Sequence, residues 1–269
     1  MITCDVLGKC DNNNGLGNQM FCIATTLALA YKNETTAVFP DLCTEHYEYY
    51  GRTIFHLLDK KGDKNFVKHQ FKEPPYTSTF YHELPFTESM KLTGHFQSYK
   101  YFNFCRDLVL SKFSIPEDMD RKIMSKYGNI IDENTVSLHI RRGDYLQFSN
   151  HYQKLGLDYY QEALKLVAND NSKILIFSDD IEWCKHNLDF IENNSVIFVE
   201  NQTDVEDLWL MSKIKNNIIA NSTFSWWAAY LNNNNDKKIV CPKKWFGPAR
   251  SKDNELETKD LFPKEWIKI

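Results

Sequence analysis

Two adjacent arginines at the end of a strand-like segment are the residues best suited to chemistry. Residues 136–140 are of strand length and largely apolar, and Arg141 and Arg142 follow them. A guanidinium is a planar fork of donors that matches phosphate oxygens. Ligands of open α/β sheets bind at the carboxyl ends of the strands, so the pair predicts an anion site. Gly143 lets the chain turn, and Asp144 could orient a guanidinium. Two solvated arginines at a surface strand end would give the same pattern.

A glycine-containing segment before the first predicted helix is a second candidate. Residues 15–21 read G-L-G-N-Q-M-F, and the helix is predicted over 20–32. Glycines permit close approach of a ligand to the backbone, and a helix N-terminus favours an anion. Gly17 and Asn18 are therefore candidate ligand contacts, although a tight turn alone would also explain the glycines. The spacing is not G-x-G-x-x-G, so the dinucleotide-binding fingerprint is absent.

Acids and hydroxyls follow two further predicted strands. Asp179 and Asp180 come after the apolar segment 173–177. Either carboxylate could accept hydrogen bonds from a base or a ribose, or cap the next helix. After 217–220 comes N-S-T-F-S-W-W at 221–227. Its hydroxyls and helix-start amides suit a pyrophosphate, or they form an ordinary cap over a packed tryptophan pair.

Strand-like and helix-like segments alternate through the second half, which predicts an α/β fold with a parallel sheet. Asp158 and Thr203 are predicted N-caps, and Glu206 completes a capping box with Thr203. The predicted strands are 136–140, 173–177, 195–199, 217–220 and 238–241, and the predicted helices are 158–168, 181–188, 203–212 and 222–231.

The first half is less regular. Residues 2–7 and 37–39 are predicted strands. Pro116 and the acids after it predict a helix start. Residues 41–110 are rich in aromatic residues and histidines and show only weak periodicity, so they predict no particular element.

The length of 269 residues suits two small α/β domains. We expect their boundary near residues 129–135. The predicted N-terminal domain, 1–132, carries the glycine segment. The predicted C-terminal domain, 133–269, carries the arginine, acid and hydroxyl segments, and its last residues are expected to pack back on the first domain.

Charge and composition exclude several classes of function. The net charge is −4 and no basic stripe is present, which argues against nucleic-acid binding. The sequence has neither an apolar run long enough for a transmembrane segment nor the features of a signal peptide, so we expect a soluble cytoplasmic chain. A phosphotransferase is excluded because G-x-x-x-x-G-K-[ST] is absent.

Cysteines and acids give no metal-binding pattern. The seven cysteines form no C-x-x-C pair, so we predict reduced thiols, mostly in the core. A D-x-D triplet occurs only at residues 118–120, in the first turn of a predicted helix and with no strand before it. We therefore expect no metal.

Three motifs together carry a resemblance to a known family. H-I-R-R-G-D-Y at 139–145, G-L-G-N-Q-M-F at 15–21 and N-S-T-F-S-W-W-A-A-Y-L at 221–231 resemble the α-1,2-fucosyltransferases of glycosyltransferase family 11. P-K-K-W-F at 242–246 is similar too, and all four occur in the family's order. Residues 9–14 lengthen the connection before the glycine segment, which bears on acceptor specificity more than on donor chemistry.

The resemblance implies a GT-B fold, in which two Rossmann-like domains with parallel sheets face each other across a cleft. It implies GDP-β-L-fucose as the donor, a galactose-containing glycan as the acceptor, inversion at the anomeric carbon and no metal requirement. His139, Arg141 and Arg142 would lie in the donor-binding motif, with Arg141 on the β-phosphate. Further donor contacts would come from Ser222, Thr223 and Ser225 on the diphosphate, Phe224 on the nucleotide, Asp179 or Asp180 on the guanine or ribose, and Gly17 and Asn18 near the sugar.

Sugar transfer needs stabilisation of the negative charge that grows on the leaving group. Without a metal, the arginines and the helix starting near Ser222 must supply it. A base must also deprotonate the acceptor hydroxyl, and Asp144 is a candidate unless it only holds Arg142. The predicted function is transfer of L-fucose to the 2-hydroxyl of a β-galactoside. The alternatives are another acceptor or linkage, or a non-catalytic nucleotide-sugar or glycan-binding module.

Overall fold

A computed structural model describes residues 1–5, 15–44, 48–75, 79–191, 195–251 and 253–269. The chain divides into two compact units. Unit 1 contains Met1–Pro116 and Glu257–Pro263, and unit 2 contains Glu117–Leu256 and Lys264–Ile269. None of the helices within these described ranges is long and apolar enough to cross a membrane.

Unit 1 is built on a parallel sheet of three strands in the order β1-β3-β2. Two of these strands lie in the stretch for which the sequence predicted no element. The predicted strand 37–39 is reduced to one bridge between Ala37 and Ile2, because Pro40 begins a 3₁₀ turn there. The strands are β1 (Ile2–Cys4), β2 (His69–Lys72) and β3 (Met90–Thr93); the helices are α1 (Leu16–Lys32), α2 (Glu48–Arg52) and α3 (Arg106–Lys112); 3₁₀ turns are Pro40–Cys43, Lys64–Phe66, Tyr99–Tyr101 and Asn103–Cys105.

Helix α1 begins one turn earlier than predicted. Its N-cap is Gly15, whose carbonyl accepts the amides of Asn18 at 3.0 Å and Gln19 at 3.3 Å. Leu16 is buried, so the extra turn adds apolar contact at the start of a helix that is buried over most of its length. As a result Gly17 and Asn18 belong to the first helical turn and not to a preceding loop. The predicted strand over 2–7 ends at Cys4, and its last two residues lie outside the described ranges.

Unit 2 contains a parallel six-stranded sheet in the order β6-β5-β4-β7-β8-β9. Each strand predicted in the second half is present with ends shifted by at most two residues. The strands are β4 (Thr135–Ile140), β5 (Lys173–Ser178), β6 (Ser195–Phe198), β7 (Asn216–Ile218), β8 (Ile239–Cys241) and β9 (Ile267–Lys268); the helices are α4 (Glu117–Tyr127), α5 (Gly143–Gln147), α6 (Leu157–Val167), α7 (Ile181–Asn187), α8 (Asp204–Lys213), α9 (Thr223–Leu231) and α10 (Asn254–Glu257).

The helix ends of unit 2 follow their local chemistry. The capping box of α8 is confirmed, since Thr203 accepts the amide of Glu206 and the Glu206 side chain accepts the amide of Thr203. The predicted cap of α6 is wrong, because α6 starts at Leu157 with Gly156 as N-cap and Asp158 inside the first turn. Trp226 and Trp227 are fully buried, as predicted for core residues.

Helix α4 lies in unit 2, although the predicted boundary placed its residues in the first domain. Its contacts explain the grouping. Asp120 accepts a hydrogen bond from Nε1 of Trp209 on α8 at 2.6 Å, and Lys122 donates to the buried carboxylate of Glu206 at 2.9 Å. The segment Glu257–Pro263 is grouped with unit 1, where the Asp260 carbonyl accepts a hydrogen bond from the buried Ser98 hydroxyl at 2.6 Å.

The described cysteines are all free thiols, and all except Cys43 are buried. Cys43 is exposed and departs from the predicted core location. Cys10 lies outside the described residues. Burial raises the pKa of the Cys105 thiol to about 11 and that of Cys4 to about 12, which keeps both protonated at neutral pH.

Candidate functional site in unit 2

The carboxyl ends of three neighbouring strands bring three of the predicted segments together. Strand β4 pairs with β5 on one side, where Ile140 lies opposite Ser178. It pairs with β7 on the other, where Leu138 lies opposite Ile218. The chain leaving β4 carries the arginines, the chain leaving β5 carries the two acids, and the chain leaving β7 carries the hydroxyl segment. The arginine, acid and hydroxyl segments therefore all lie at the carboxyl edge of one parallel sheet, where ligands of open α/β sheets bind.

Arg141 is held by two carboxylates. Its guanidinium donates to Oδ1 of Asp144 at 2.7 Å and lies 3.2 Å from Oδ2 of Asp179. The guanidinium carbon also lies 5.5 Å from the centre of the Tyr145 ring. The side chain keeps 34% exposure, so part of it faces solvent. Asp144 thus orients a guanidinium, as the sequence suggested, but it is that of Arg141 and not that of Arg142.

Arg142 is packed more closely. Its Nε donates to Oδ2 of Asp180 at 3.0 Å, and its guanidinium carbon lies 3.6 Å from the centre of the Trp183 ring. The side chain is only 16% exposed. A guanidinium stacked on an indole and paired at its edge loses most of its rotational freedom. Asp180 also caps α7 by accepting the amide of Trp183 at 3.3 Å, so the capping interpretation of this acid holds.

Asp179 supports the turn that follows β4. Its Oδ1 accepts the backbone amide of Arg142 at 2.9 Å while Oδ2 faces Arg141. A Cβ atom at Gly143 would lie 2.5 Å from this carboxylate. Gly143 is therefore required by the close approach of Asp179, and its backbone is not in the left-handed region. Both acids after β5 thus orient the arginines.

His139 is buried inside the end of β4. Its ring lies 5.5 Å from that of Phe224, and its Nδ1 has no hydrogen-bond partner among the described residues. Burial, aided by the charge of Arg141, lowers the pKa of His139 from 6.5 to about 3. The imidazole is therefore neutral at physiological pH and offers one acceptor and one donor nitrogen.

The segment before α9 combines a helix start with hydroxyl side chains. Ser222 is the N-cap, yet its hydroxyl makes no capping hydrogen bond within the described chain. Thr223 and Phe224 are half-buried at the first turn. Ser225 was predicted to contact a diphosphate. In the structure it is fully buried, and its hydroxyl donates to the Ser222 carbonyl at 3.3 Å. The first-turn amides and two hydroxyls remain suited to an anion.

A tyrosine pair connects the arginine turn to this helix start. Tyr145 donates to the carbonyl of Asn221 at 3.0 Å and stacks on Tyr152 with ring centres 4.2 Å apart. The buried amide of Asn221 donates in turn to the carbonyls of Gln153 at 2.9 Å and Trp245 at 2.8 Å. Together with the ion pairs of Asp179 and Asp180, these contacts tie the three strand-end segments into one framework.

Two predicted site residues lie in unit 1. Gly17 is buried in the first turn of α1, and Asn18 is the next residue. The Asn18 Oδ1 accepts a hydrogen bond from Nε2 of Gln97 at 2.8 Å. Asn18 is not the cap of α1, because Gly15 occupies that position.

Several residues that contact the predicted site residues of either unit were not themselves predicted from the sequence. Trp183 stacks on Arg142 although nothing in its local pattern separates it from an ordinary helix residue. Tyr145 was part of the quoted motif without a role. Gln97 follows β3, in the stretch whose elements were not predicted. Paired cationic and aromatic positions become visible only when the strands are placed side by side.

Among the described residues, no group of three His, Cys, Asp or Glu side chains is arranged to hold a metal ion. The acids of the D-x-D triplet lie on α4, where Asp120 is occupied by the indole of Trp209.

The sequence matches known glycosyltransferases over most of its length. The family model for glycosyl transferase family 11 matches residues 7–269. The O-antigen biosynthesis glycosyltransferase WbnK of Escherichia coli is 40% identical over 175 residues, which cover 60% of this chain and 57% of WbnK. An α-1,2-colitosyltransferase of the same species is 36% identical over 189 residues, covering 67% and 63%. Human galactoside α-(1,2)-fucosyltransferase 1 is 25% identical over 240 residues, covering 81% and 64%. The chain spans about three-fifths of the length of these relatives.

Solved fucosyltransferase structures share the fold. NodZ from Bradyrhizobium superimposes with a TM-score of 0.54 at 11% identity, covering 85% of this chain and 92% of NodZ. POFUT1 in complex with GDP-fucose gives 0.51 at 11% identity, covering 89% and 96%. At this identity the likeness concerns the fold alone, which is the GT-B type. Because the family model matches nearly the whole sequence, the chain belongs to glycosyl transferase family 11.

Proposed function

We propose that this protein transfers L-fucose from GDP-β-L-fucose to the 2-hydroxyl of a β-galactoside, forming an α-1,2 linkage without a metal ion. The observation that carries the proposal is the arginine pair at the end of β4, oriented by acids from β5 and adjacent to the start of α9. This arrangement supplies oriented guanidinium donors and helix-start amides, which can bind a nucleoside diphosphate leaving group.

The two arginines have different roles in this proposal. Arg141 keeps the larger exposed fraction and binds the β-phosphate with its fork. Arg142 is packed against Trp183 and holds the turn in place. Ser222, Thr223 and the first amides of α9 bind the diphosphate, with Phe224 against the nucleotide and His139 behind it. Asp180, more exposed at 35% than Asp179 at 24%, is the acid that meets the ribose or guanine.

In the reaction, the oxygen of the acceptor 2-hydroxyl attacks the anomeric carbon of fucose. The bond from that carbon to the β-phosphate oxygen breaks, and GDP leaves with the electron pair. The hydroxyl proton passes to a base on the acceptor side. Asp144 is poorly suited to be this base, because it is paired with the arginine assigned to the leaving group, whereas inversion places the acceptor on the opposite face of the sugar. We assign Asp144 to orienting Arg141.

Absence of a metal requirement follows from the same assignment. The arginines and the α9 start stabilise the leaving-group charge that a divalent ion would otherwise neutralise. The one D-x-D triplet supports a different role, since Asp120 binds the indole of Trp209.

A second donor is favoured by one comparison. The relative that is 36% identical is named as an α-1,2-colitosyltransferase. Colitose differs from fucose by the absence of the 3-hydroxyl, so both donors would present the same GDP to the arginine site. A site that hydrogen-bonds that hydroxyl would reject the deoxy sugar strongly, and a site that does not would accept both.

The test is a transfer assay with the purified full chain. GDP-fucose and GDP-colitose are each offered with a panel of β-galactosides in excess EDTA, and the linkage of the product is determined by NMR. We expect an α-1,2-linked product with EDTA present. Turnover that is lost in EDTA and restored by Mn²⁺ or Mg²⁺ would contradict metal independence. Donor binding with no product from any acceptor would favour the non-catalytic module.

A further inference from the structure

The segment that follows β3 in unit 1, residues 94–98, is held in one unusual conformation. Phe96 is fully buried with φ of 48°, in the left-handed region that large side chains rarely occupy. Such a backbone persists only where its surroundings enforce it, and it is found preferentially at functional sites. The contacts of residues 94–98 show which neighbouring groups hold the backbone in this conformation.

Glu73 anchors the segment from the end of β2. Its buried carboxylate accepts the amide of His95 at 2.7 Å and the amide of Phe96 at 3.0 Å. A Cβ atom at Gly94 would collide with the Glu73 side chain, so only glycine allows this approach. Burial raises the pKa of Glu73 even though the two amide hydrogen bonds act in the opposite direction.

The anchored segment contacts helix α1 at two points one turn apart. The Cys22 thiol donates to the carbonyl of Gly94 at 2.6 Å, and Nε2 of Gln97 donates to Oδ1 of Asn18 at 2.8 Å. Cys22 and Asn18 are four residues apart and so lie on the same face of α1. Gln97 is itself buried, which limits its alternatives. On the far side, the Ser98 hydroxyl is held by the Asp260 carbonyl at 2.6 Å.

We propose that Gln97 is a positioning residue that sets the orientation of the Asn18 amide. With Oδ1 turned to the Gln97 donor, Asn18 directs its Nδ2 donor away from Gln97. The strained turn at Phe96 and the Glu73 anchor serve to hold Gln97 in place. The inference rests on the proposed function and adds that the Asn18 amide acts on the developing negative charge of the leaving group. Its Nδ2 must then face that charge, because a hydrogen-bond donor stabilises it and an acceptor does not.

The decisive variant is Gln97→Glu, which keeps the shape but replaces the donor by an acceptor. Asn18 must then rotate its amide to donate to residue 97, which turns Oδ1 to where Nδ2 was. We expect kcat to fall at least about tenfold while the Kd of GDP changes less than about twofold. This is the result expected when the lost interaction stabilises the transition state and not the bound ground state. Gln70→Glu is the matched control, because Gln70 also donates its side-chain amide, to Thr93 Oγ1 at 2.9 Å, but is exposed.

A double variant separates positioning from general damage. If Gln97 acts through Asn18, Asn18→Ala with Gln97→Glu should have the kcat of Asn18→Ala alone. If the two substitutions instead lower kcat independently, so that their effects multiply in the double variant, the proposal is overturned. Gln97→Met, which lacks the donor but keeps the length, replaces Gln97→Glu if the latter does not fold, and should likewise lower kcat at unchanged GDP affinity.

A readout independent of transfer is the side-chain amide resonance of Asn18, assigned by its absence in Asn18→Ala. It should shift in Gln97→Glu and stay in place in Gln70→Glu. If the wild-type protein transfers no sugar, the proposed function fails, and this resonance still tests the contact. An unchanged resonance in Gln97→Glu would refute the positioning role.

Discussion

At the scale of single residues, Arg141 and Arg142 are neighbours in sequence with different surroundings. Arg142 has its edge on Asp180 and its face on Trp183. Arg141 is paired with acids but retains twice the exposed fraction, 34% against 16%. The residue assigned to a ligand is therefore the one with surface left to bind it.

Arg141→Ala should abolish transfer and leave the fold intact, with a loss of about 10²–10³ in turnover or more. Arg141→Lys should recover little, because a point charge does not replace the fork. Turnover and circular dichroism are measured on both variants. Arg121→Ala, which removes an exposed arginine paired with Glu117, is the control. An Arg141→Ala enzyme that keeps half of the wild-type turnover would refute the assignment.

His139 should make the stability of the protein depend on pH. Its folded pKa of about 3 lies below the ordinary value of 6.5, so between these values the unfolded chain binds the extra proton. The free energy of unfolding should therefore fall as the pH is lowered from 6.5 towards 3, by at most about 1.4 kcal/mol per pH unit. Urea denaturation of His139→Gln should show a shallower slope, and the exposed-site control His69→Gln should keep the wild-type slope. Equal slopes in wild type and His139→Gln would contradict the prediction.

At the scale of elements, the site depends on turns that sequence patterns describe only in part. The turn from β4 into α5 is set by Asp179, which accepts the Arg142 amide at 2.9 Å and leaves no room for a side chain at Gly143. From the sequence we interpreted Gly143 as allowing a sharp turn. The structure adds a tertiary reason, because Asp179 at the end of the neighbouring strand leaves no space for a Cβ atom.

Gly143→Ala should displace Asp179 and weaken donor binding several-fold, together with a lower melting temperature. Isothermal titration with GDP-fucose and a melting curve measure both effects. Gly156→Ala is a matched control, because its added methyl group also meets a carboxylate, that of Asp158, which is exposed and can move away. Equal GDP-fucose affinity in the two variants would show that the Asp179 contact does not matter for binding.

Glu206 joins two helices of unit 2. Its buried carboxylate accepts the Thr203 amide at 2.8 Å at the start of α8 and the Lys122 ammonium of α4 at 2.9 Å. Glu206→Ala should lower the free energy of unfolding by about 1–3 kcal/mol, since both a cap and a buried partner are lost. Glu117→Ala, which removes an exposed carboxylate, should cost less than about 0.5 kcal/mol. Urea denaturation compares the two, and similar losses would contradict the structural role.

At the scale of the whole molecule, the candidate residues divide between the two units. The arginines, the acids and the hydroxyl segment belong to unit 2, and Gly17 and Asn18 belong to unit 1. We therefore expect nucleotide affinity to depend on unit 2, and the role of Asn18 in unit 1 is tested separately.

Asn18→Ala should lower kcat by about 100-fold or more and change the Kd of GDP by less than about threefold. The physical reason is that an amide acting on the developing charge contributes in the transition state and adds little to ground-state binding. Kinetics, calorimetry with GDP and a melting curve are compared with Asn65→Ala, an exposed asparagine of the same unit. Near-normal kcat with a lowered melting temperature would show that Asn18 only stabilises α1.

Much of unit 2 could be predicted from the sequence because short strand-like segments alternate regularly with helix-like segments, a pattern set locally. The capping box at Thr203 and the buried Trp226–Trp227 pair follow from the same local rules. Unit 1 was predicted less well, because β2 is exposed along most of its length and carries little apolar signal. The early start of α1 was missed because glycines in a first turn look like a loop.

The sequence by itself determined the alternating α/β pattern, the strand-end arginines and the family motifs, since all depend on residue types at short spacing. Tertiary structure alone decided which acid holds which arginine, that Ser225 is internal, and that Gln97 meets Asn18 across 79 positions. Such partners are distant in the chain, and their pairing depends on strand order and register. Neither is encoded in any one segment, because both arise when separate segments bury their apolar faces together.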